Sequence, residues 1–164
     1  MAVTFSHYVE LFTDWVVPAC SPALLERLPL RKPVDILERP LLAIEWARDH
    51  RSPPTWSEWA ASIGAKYRTT SGEVAFSLSS AAIDAAINGR GFVLAQLSMT
   101  RDHISSGRLV VPFNLPLRLP HPYFLAWDRS ALQKPHGAEL RAWIVSVANR
   151  QEAQHSGLRR ADSP

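Results

Sequence analysis

An α/β fold, with a mixed and mostly parallel sheet flanked by helices, is what this sequence predicts, on three observations. The run EVAFSLSSAAIDAAINGRGFVLAQLS, from Glu73 to Ser98, reads as strand, helix, glycine stop and second strand. Short β-rich runs alternate with amphipathic helical ones along the remainder of the chain. A length of 164 residues with 46% hydrophobic content suits one domain with a sizeable core.

Within the central run, Val74 and Phe76 give strand character, and the Ser77 hydroxyl is placed to accept from the first free amides of a helix, as an N-cap. Leu78, Ala81, Ala82, Ala85 and Ala86 recur at the spacing of a buried helical face, while Ser77, Ser80, Asp84 and Asn88 form a polar stripe. Gly89 stands where a helix end needs a left-handed residue, and Phe92 to Ala95 is short and apolar enough for an inner strand. The unit is βαβ. Its helix start leaves N–H donors beside Ser77, Leu78 and Ser79 at the carboxyl end of a strand, which favours an anion.

The other elements follow in order. LFTDWVVP, Leu11 to Pro18, reads as one strand feeding a short helix capped by Ser21 with Pro22 at its first position. A second short helix is expected at VDILER and a strand at Leu41 to Ala47, followed by a loop, ARDHRSPP. Thr55 and Glu58 form a capping box, and Trp56, Trp59, Ala60 and Ile63 make the apolar face of a helix that stops at Gly64. After the βαβ unit, Thr100 is expected to cap a short helix ending at Gly107, and RLVVPF to form a strand. The proline-rich LPLRLPHP interrupts regular structure before a last strand, Tyr123 to Trp127. A turn at DRSALQKPHG precedes a helix from about Ala138 to Asn149, striped by Leu140, Trp143, Ile144 and Val147. The remaining EAQHSGLRRADSP lacks the apolar content to pack.

Composition narrows the function classes. The formal net charge is +3, with acids interspersed among the arginines, so no basic stripe for nucleic acid is visible. Cys20 stands alone, which excludes an internal disulfide framework and a cysteine zinc cluster and is compatible with a reducing cytoplasm. No leader and no bilayer-length apolar run is read, so a cytoplasmic location without membrane contact is expected. The histidines, at 7, 50, 103, 121, 136 and 155, lack metal-ligand spacing. Gly89 and Gly91 follow a helix instead of opening one, so neither nucleotide site nor cofactor is implied. Cys20 beside a helix start invites a nucleophile reading, against which stands a small buried hydrophobe with no histidine nearby in sequence. There is no G-x-S-x-G elbow, and no catalytic residue is assigned. Trp56, Trp59 and Trp143 are expected to pack, and Trp15, Trp46 and Trp127 lie in strand candidates.

Taken in order, FTDWVVPACSPALLERLPLRKPVDILERPLL, WSEWAASIG, FSLSSAAIDAAINGRGFVLA, ISSGRLVVPF and PYFLAWDRS resemble the effector-binding domain of LysR-type transcriptional regulators, over about Leu11 to Ala148. The likeness is strongest to the branch containing regulators of glycine-cleavage genes and of inducible β-lactamase. It implies a lobe like those of the type 2 periplasmic solute-binding proteins, with a small effector held between lobes, and no enzymatic activity. Nothing matches the helix-turn-helix and the first half of lobe one, so a truncated form is expected: residues 1–10 as a remnant of lobe one, 11–128 as lobe two, 129–152 as a returning helix and 153–164 as a disordered tail. The stripe on that helix is then left exposed, favouring a homo-oligomer or association with a full-length regulator. Direct contact of this chain with nucleic acid is not expected. The alternative is a stand-alone solute-binding protein.

The resemblance turns the strand-to-helix junction toward the effector. Ser77 and Ser79, with the amides around Leu78, are the candidate contacts for a carboxylate or similar group, alongside the plainer reading that Ser77 only caps its helix. Glu45 and Trp46, at another strand end, are candidates for the same cleft, the acid there suiting an amino-bearing ligand.

Overall fold

The computed structural model describes residues 7–45, 53–67 and 72–160, the stretch 152–160 as backbone alone. It divides the chain into two units, residues 15–120 and residues 1–14 with 121–164. The chain thus passes from one unit to the other twice, at Asp14–Trp15 and at Pro120–His121.

The unit 15–120 is built on a five-stranded sheet. β2 (Trp15–Ala19), β3 (Leu41–Ile44), β4 (Val74–Phe76), β5 (Phe92–Gln96) and β6 (Leu117–Arg118) are ordered β4-β3-β5-β2-β6. β3 runs parallel to both β4 and β5, while β2 is antiparallel to β5 and β6. The β4–α3–β5 crossover, through α3 (Ser79–Ile87), therefore spans β3 and makes the predicted βαβ unit. Strand alternation splits the core into two faces. Leu41, Phe92 and Leu94 pack with Leu24 of α1 (Pro22–Arg27), Ile36 of a 3-10 helix (Pro33–Glu38) and Trp56 and Trp59 of α2 (Trp56–Ser62). Leu42, Val93 and Ala95 pack with Ala82, Ile83 and Ala86 of α3 on the other face. α4 (Leu97–Ser105) follows β5 directly and contacts β2 and β5.

Local chemistry explains most of these elements. Ser21 Oγ accepts from Leu24 N at 3.2 Å, with Pro22 at the first helical position. Thr55 Oγ1 accepts from Glu58 N, and Glu58 Oε2 accepts from Thr55 N at 2.6 Å, completing the capping box. Gly89, at φ +70°, supplies the left-handed residue after α3. A Cβ on Gly91 would lie 2.6 Å from the Pro40 carbonyl, so glycine lets the start of β5 run close against the start of β3.

The other unit contains an antiparallel ribbon of β1 (His7–Phe12) and β7 (Tyr123–Trp127), with His7 opposite Trp127 and Glu10 opposite Phe124. α5 (Arg129–Gln133) is capped by Asp128, and α6 (Gly137–Arg160) packs on β1 and α5. The Arg141 guanidinium lies 4.6 Å from the centre of the Trp127 ring, a cation–π contact.

Several expectations are corrected. Residues 11–18 are not one strand: the run breaks at Thr13–Asp14 because β1 pairs with β7 and β2 with β5, in separate sheets. The segment 11–128 expected as one lobe is thereby divided, since 11–14 and 121–128 belong with the ribbon. VDILER forms a 3-10 helix, held tight where Asp35 accepts from Arg31 N and Lys32 N. Thr100 is no cap; α4 begins three residues earlier, and Thr100 Oγ1 donates back to the Gln96 carbonyl at 2.7 Å. RLVVPF forms only an isolated bridge, Cys20 with Val110, while β6 lies inside the proline-rich stretch expected to be irregular. α5 occupies part of the expected turn after Trp127, and α6 continues to Arg160, past its expected close near Asn149 and into the tail expected to be disordered. The sequence there, RQEAQHSGLRR, is rich in helix formers and free of proline. Trp56 and Trp59 are buried as expected, but Trp143 is 61% exposed.

Candidate ligand-binding site

Because β3, β4 and β5 are parallel, the residues that follow them gather at one end of the sheet. Glu45 follows β3, Ser77 follows β4, and Gln96 ends β5. The link between the first two is direct: Glu45 N donates to the Phe76 carbonyl at 2.9 Å. Trp15 and Arg118, paired across β2 and β6, lie toward the same end, since Val16 is opposite Gln96.

Ser77 and Leu78 are both exposed at this end, Leu78 by 63%. Ser77 is not the N-cap. That position falls to Leu78, which has extended backbone and no side-chain capping bond, and α3 begins at Ser79, which is buried. The face that α3 buries is accordingly Ser79, Ala82, Ile83 and Ala86: Ala82 and Ala86 are buried as expected, whereas Ser79 and Ile83 take the places expected for Leu78, Ala81 and Ala85. The first bond within the helix runs from Ala82 N to the Leu78 carbonyl, so the Ser80 and Ala81 amides have no helical carbonyl to meet. The positive end of the helix dipole and an uncommitted Ser77 hydroxyl thus stand beside Glu45. Trp46 lies outside the described residues.

A pocket of about 90 Å³ adjoins this end on the α2 side of the sheet, lined among others by Ile44, Glu45, Thr55, Trp56, Glu73 and Leu94. The Trp56 indole N–H donates to the Leu42 carbonyl at 3.1 Å, which fixes the ring. Glu73 Oε1 accepts from the Tyr67 hydroxyl at 2.6 Å. Glu73 and the buried Gln96 were not singled out from the sequence. The available signal was a polar residue directly abutting an apolar strand.

Cys20 does not belong to this site. It is fully buried, its backbone pairs with Val110 in both directions, and burial pushes its thiol up to about 12. The thiolate needed for nucleophilic attack is therefore suppressed at neutral pH.

Helices on both faces of a mixed sheet, parallel through β4, β3 and β5 but antiparallel at β2 and β6 and so not mostly parallel as expected, with polar groups converging where the parallel strands end, define the class of ligand-binding α/β domains. The chain belongs to the LysR substrate binding domain family, whose model matches residues 6–149. It is 31% identical over 140 residues to the glycine cleavage system transcriptional activator of Escherichia coli K12, covering 85% of this chain and 44% of that protein. The chain spans less than half the length of the curated relatives it matches. Among solved structures, the effector domain of the regulator AmpR of Pseudomonas aeruginosa superposes with a TM-score of 0.74 at 22% identity, over 94% of this chain and 71% of that one. The AmpR effector-binding domain of Citrobacter freundii does so at 0.69 and 26%, over 88% and 68%. The fold is therefore that of the LysR effector-binding domains, and the relatives are transcriptional regulators.

Proposed function

We propose that this chain senses a small effector for a LysR-type transcriptional regulator, and that the effector binds where β3, β4 and β5 end, at Glu45, Ser77, Leu78 and Ser79. The observation that carries the reading is the exposed Ser77–Leu78 link, next to the Ser80 and Ala81 amides at the start of α3 and adjacent to Glu45. A carboxylate gains from those amides and the Ser77 hydroxyl, and an amino group gains from Glu45, so an amphoteric molecule such as an amino acid fits both. Trp46, one residue beyond Glu45 in sequence, is kept as a candidate contact. Binding would bias the regulator between conformations, and the bias would reach its DNA-binding part through the assembly. Association through the exposed Leu140 and Trp143 belongs to the same proposal, since apolar side chains left in water promote contact with further polypeptide.

The test is thermal unfolding of the chain with a panel of small carboxylates and amino acids. At least one member should raise Tm, and Ser77→Ala should weaken it by about three- to tenfold, the loss of one hydrogen bond. Ser77 caps nothing, so this variant should fold as well as the parent. Absence of any stabilising ligand, or one indifferent to Ser77, Glu45 and the α3 amides alike, would defeat the assignment.

A further inference from the structure

The pocket beneath Glu45 has a chemistry of its own. Its volume of about 90 Å³ is several times the roughly 10–15 Å³ that admits one water. Two acidic residues line it from different parts of the chain: Glu45 just after β3 and Glu73 just before β4. Glu73 is anchored through Oε1 by Tyr67, which leaves its other oxygen for a donor. The Trp56 ring, held by its bond to Leu42, supplies an aromatic wall, and Ile44 and Leu94 supply apolar ones. Two acidic residues on one small, partly apolar space favour a cation over an anion. An aromatic wall adds to the attraction.

We propose that this pocket receives a small organic cation, a guanidinium or primary ammonium group, between Glu45 and Glu73. The inference rests on the reading that the effector binds at this end of the sheet, because Glu45 belongs to both, and it names the positively charged end of that effector.

Methylguanidinium is the probe, titrated into the full chain while the Trp56 indole N–H is followed by ¹H–¹⁵N NMR. A saturable shift is expected, weakened about tenfold by Glu45→Gln and by Glu73→Gln; the second variant keeps an acceptor for Tyr67. Methylurea, of similar shape without the charge, should give none. No shift, an equal shift with methylurea, or indifference to both variants overturns the proposal. Arg48 and Arg51 lie in the chain between Glu45 and Pro53. A response that appears only in Arg48→Gln/Arg51→Gln also overturns it, since the chain's own arginine would then be the occupant. Acetate, read at the Ser80 and Ala81 amides, tests the α3 end separately: loss of that response with the methylguanidinium shift intact would defeat the effector assignment and leave the cation pocket standing.

Discussion

Trp59 has no exposed surface, and its indole N–H donates to the Leu115 carbonyl at 3.0 Å. Trp59→Phe removes that donor and leaves both a gap and an unpaired carbonyl, so urea unfolding should show a loss of about 1–3 kcal/mol. Cys20 offers a second check at this scale. With its thiol buried and held protonated, labelling by a maleimide at pH 7 should proceed no faster than the protein opens, and should accelerate on addition of denaturant. Single residues also show where sequence reading stops. Trp56, Trp59 and Phe92 were legible as core because nothing else so large and apolar competes nearby. The phase of α3 was legible only in part: Ala82 and Ala86 are buried as their spacing indicates, but Ile83 has more surface to remove from water than Ala81 or Ala85, and burying it turns the helix so that Leu78 emerges and Ser77 gives up the cap. That rotation is what leaves the Ser77 hydroxyl available for binding.

Helix ends set by side chains within three residues can be read from sequence, and two of them are testable. Thr55→Ala breaks the capping box of α2 and should cost about 1 kcal/mol in chemical unfolding. At α5, Asp128 accepts from the Ser130 hydroxyl and from the Ser130 and Ala131 amides, which lowers its carboxyl below the ordinary value; Asp35 is lowered likewise by the Arg31 and Lys32 amides. A group with a depressed folded-state value stabilises the fold above its unfolded value and loses that contribution as pH falls through the folded one. Carboxyl NMR titration should therefore place both midpoints below an ordinary aspartate, with Asp128 moving back up in Ser130→Ala. Elements defined by distant partners escaped the sequence. β6 spans only two residues between prolines and exists because β2 has a free edge, and Thr100 has the look of a cap but bonds within a helix whose start follows from the end of β5. Glu73 belongs to the pocket for the same reason, through the pairing of β4 with β3.

At the scale of the molecule, the two units differ in what holds each together. The unit 15–120 buries both faces of its sheet, whereas the other is a two-stranded ribbon with α5 and α6, carrying Tyr8, Phe124, Leu140 and Trp143 at half exposure or more. A ribbon of two strands is marginal by itself. Hydrogen exchange should accordingly find the β3 and β5 amides slowest and the β1 and β7 amides markedly faster; equal protection would mean that one cooperative unit spans both. The order of elements was legible in the sequence, and so was the βαβ unit. The grouping was not, because LFTDWVVP reads as one β-rich run although its halves serve separate sheets.

The pairing of Trp15 with Arg118 has a practical consequence. Partners across antiparallel strands are about 5 Å apart, so the unit's first residue and one near its last stand side by side. A gene segment encoding 15–120 alone should yield a product whose free ends meet, ready to be joined by a few glycines into a circular permutant or grafted whole into the surface loop of another protein.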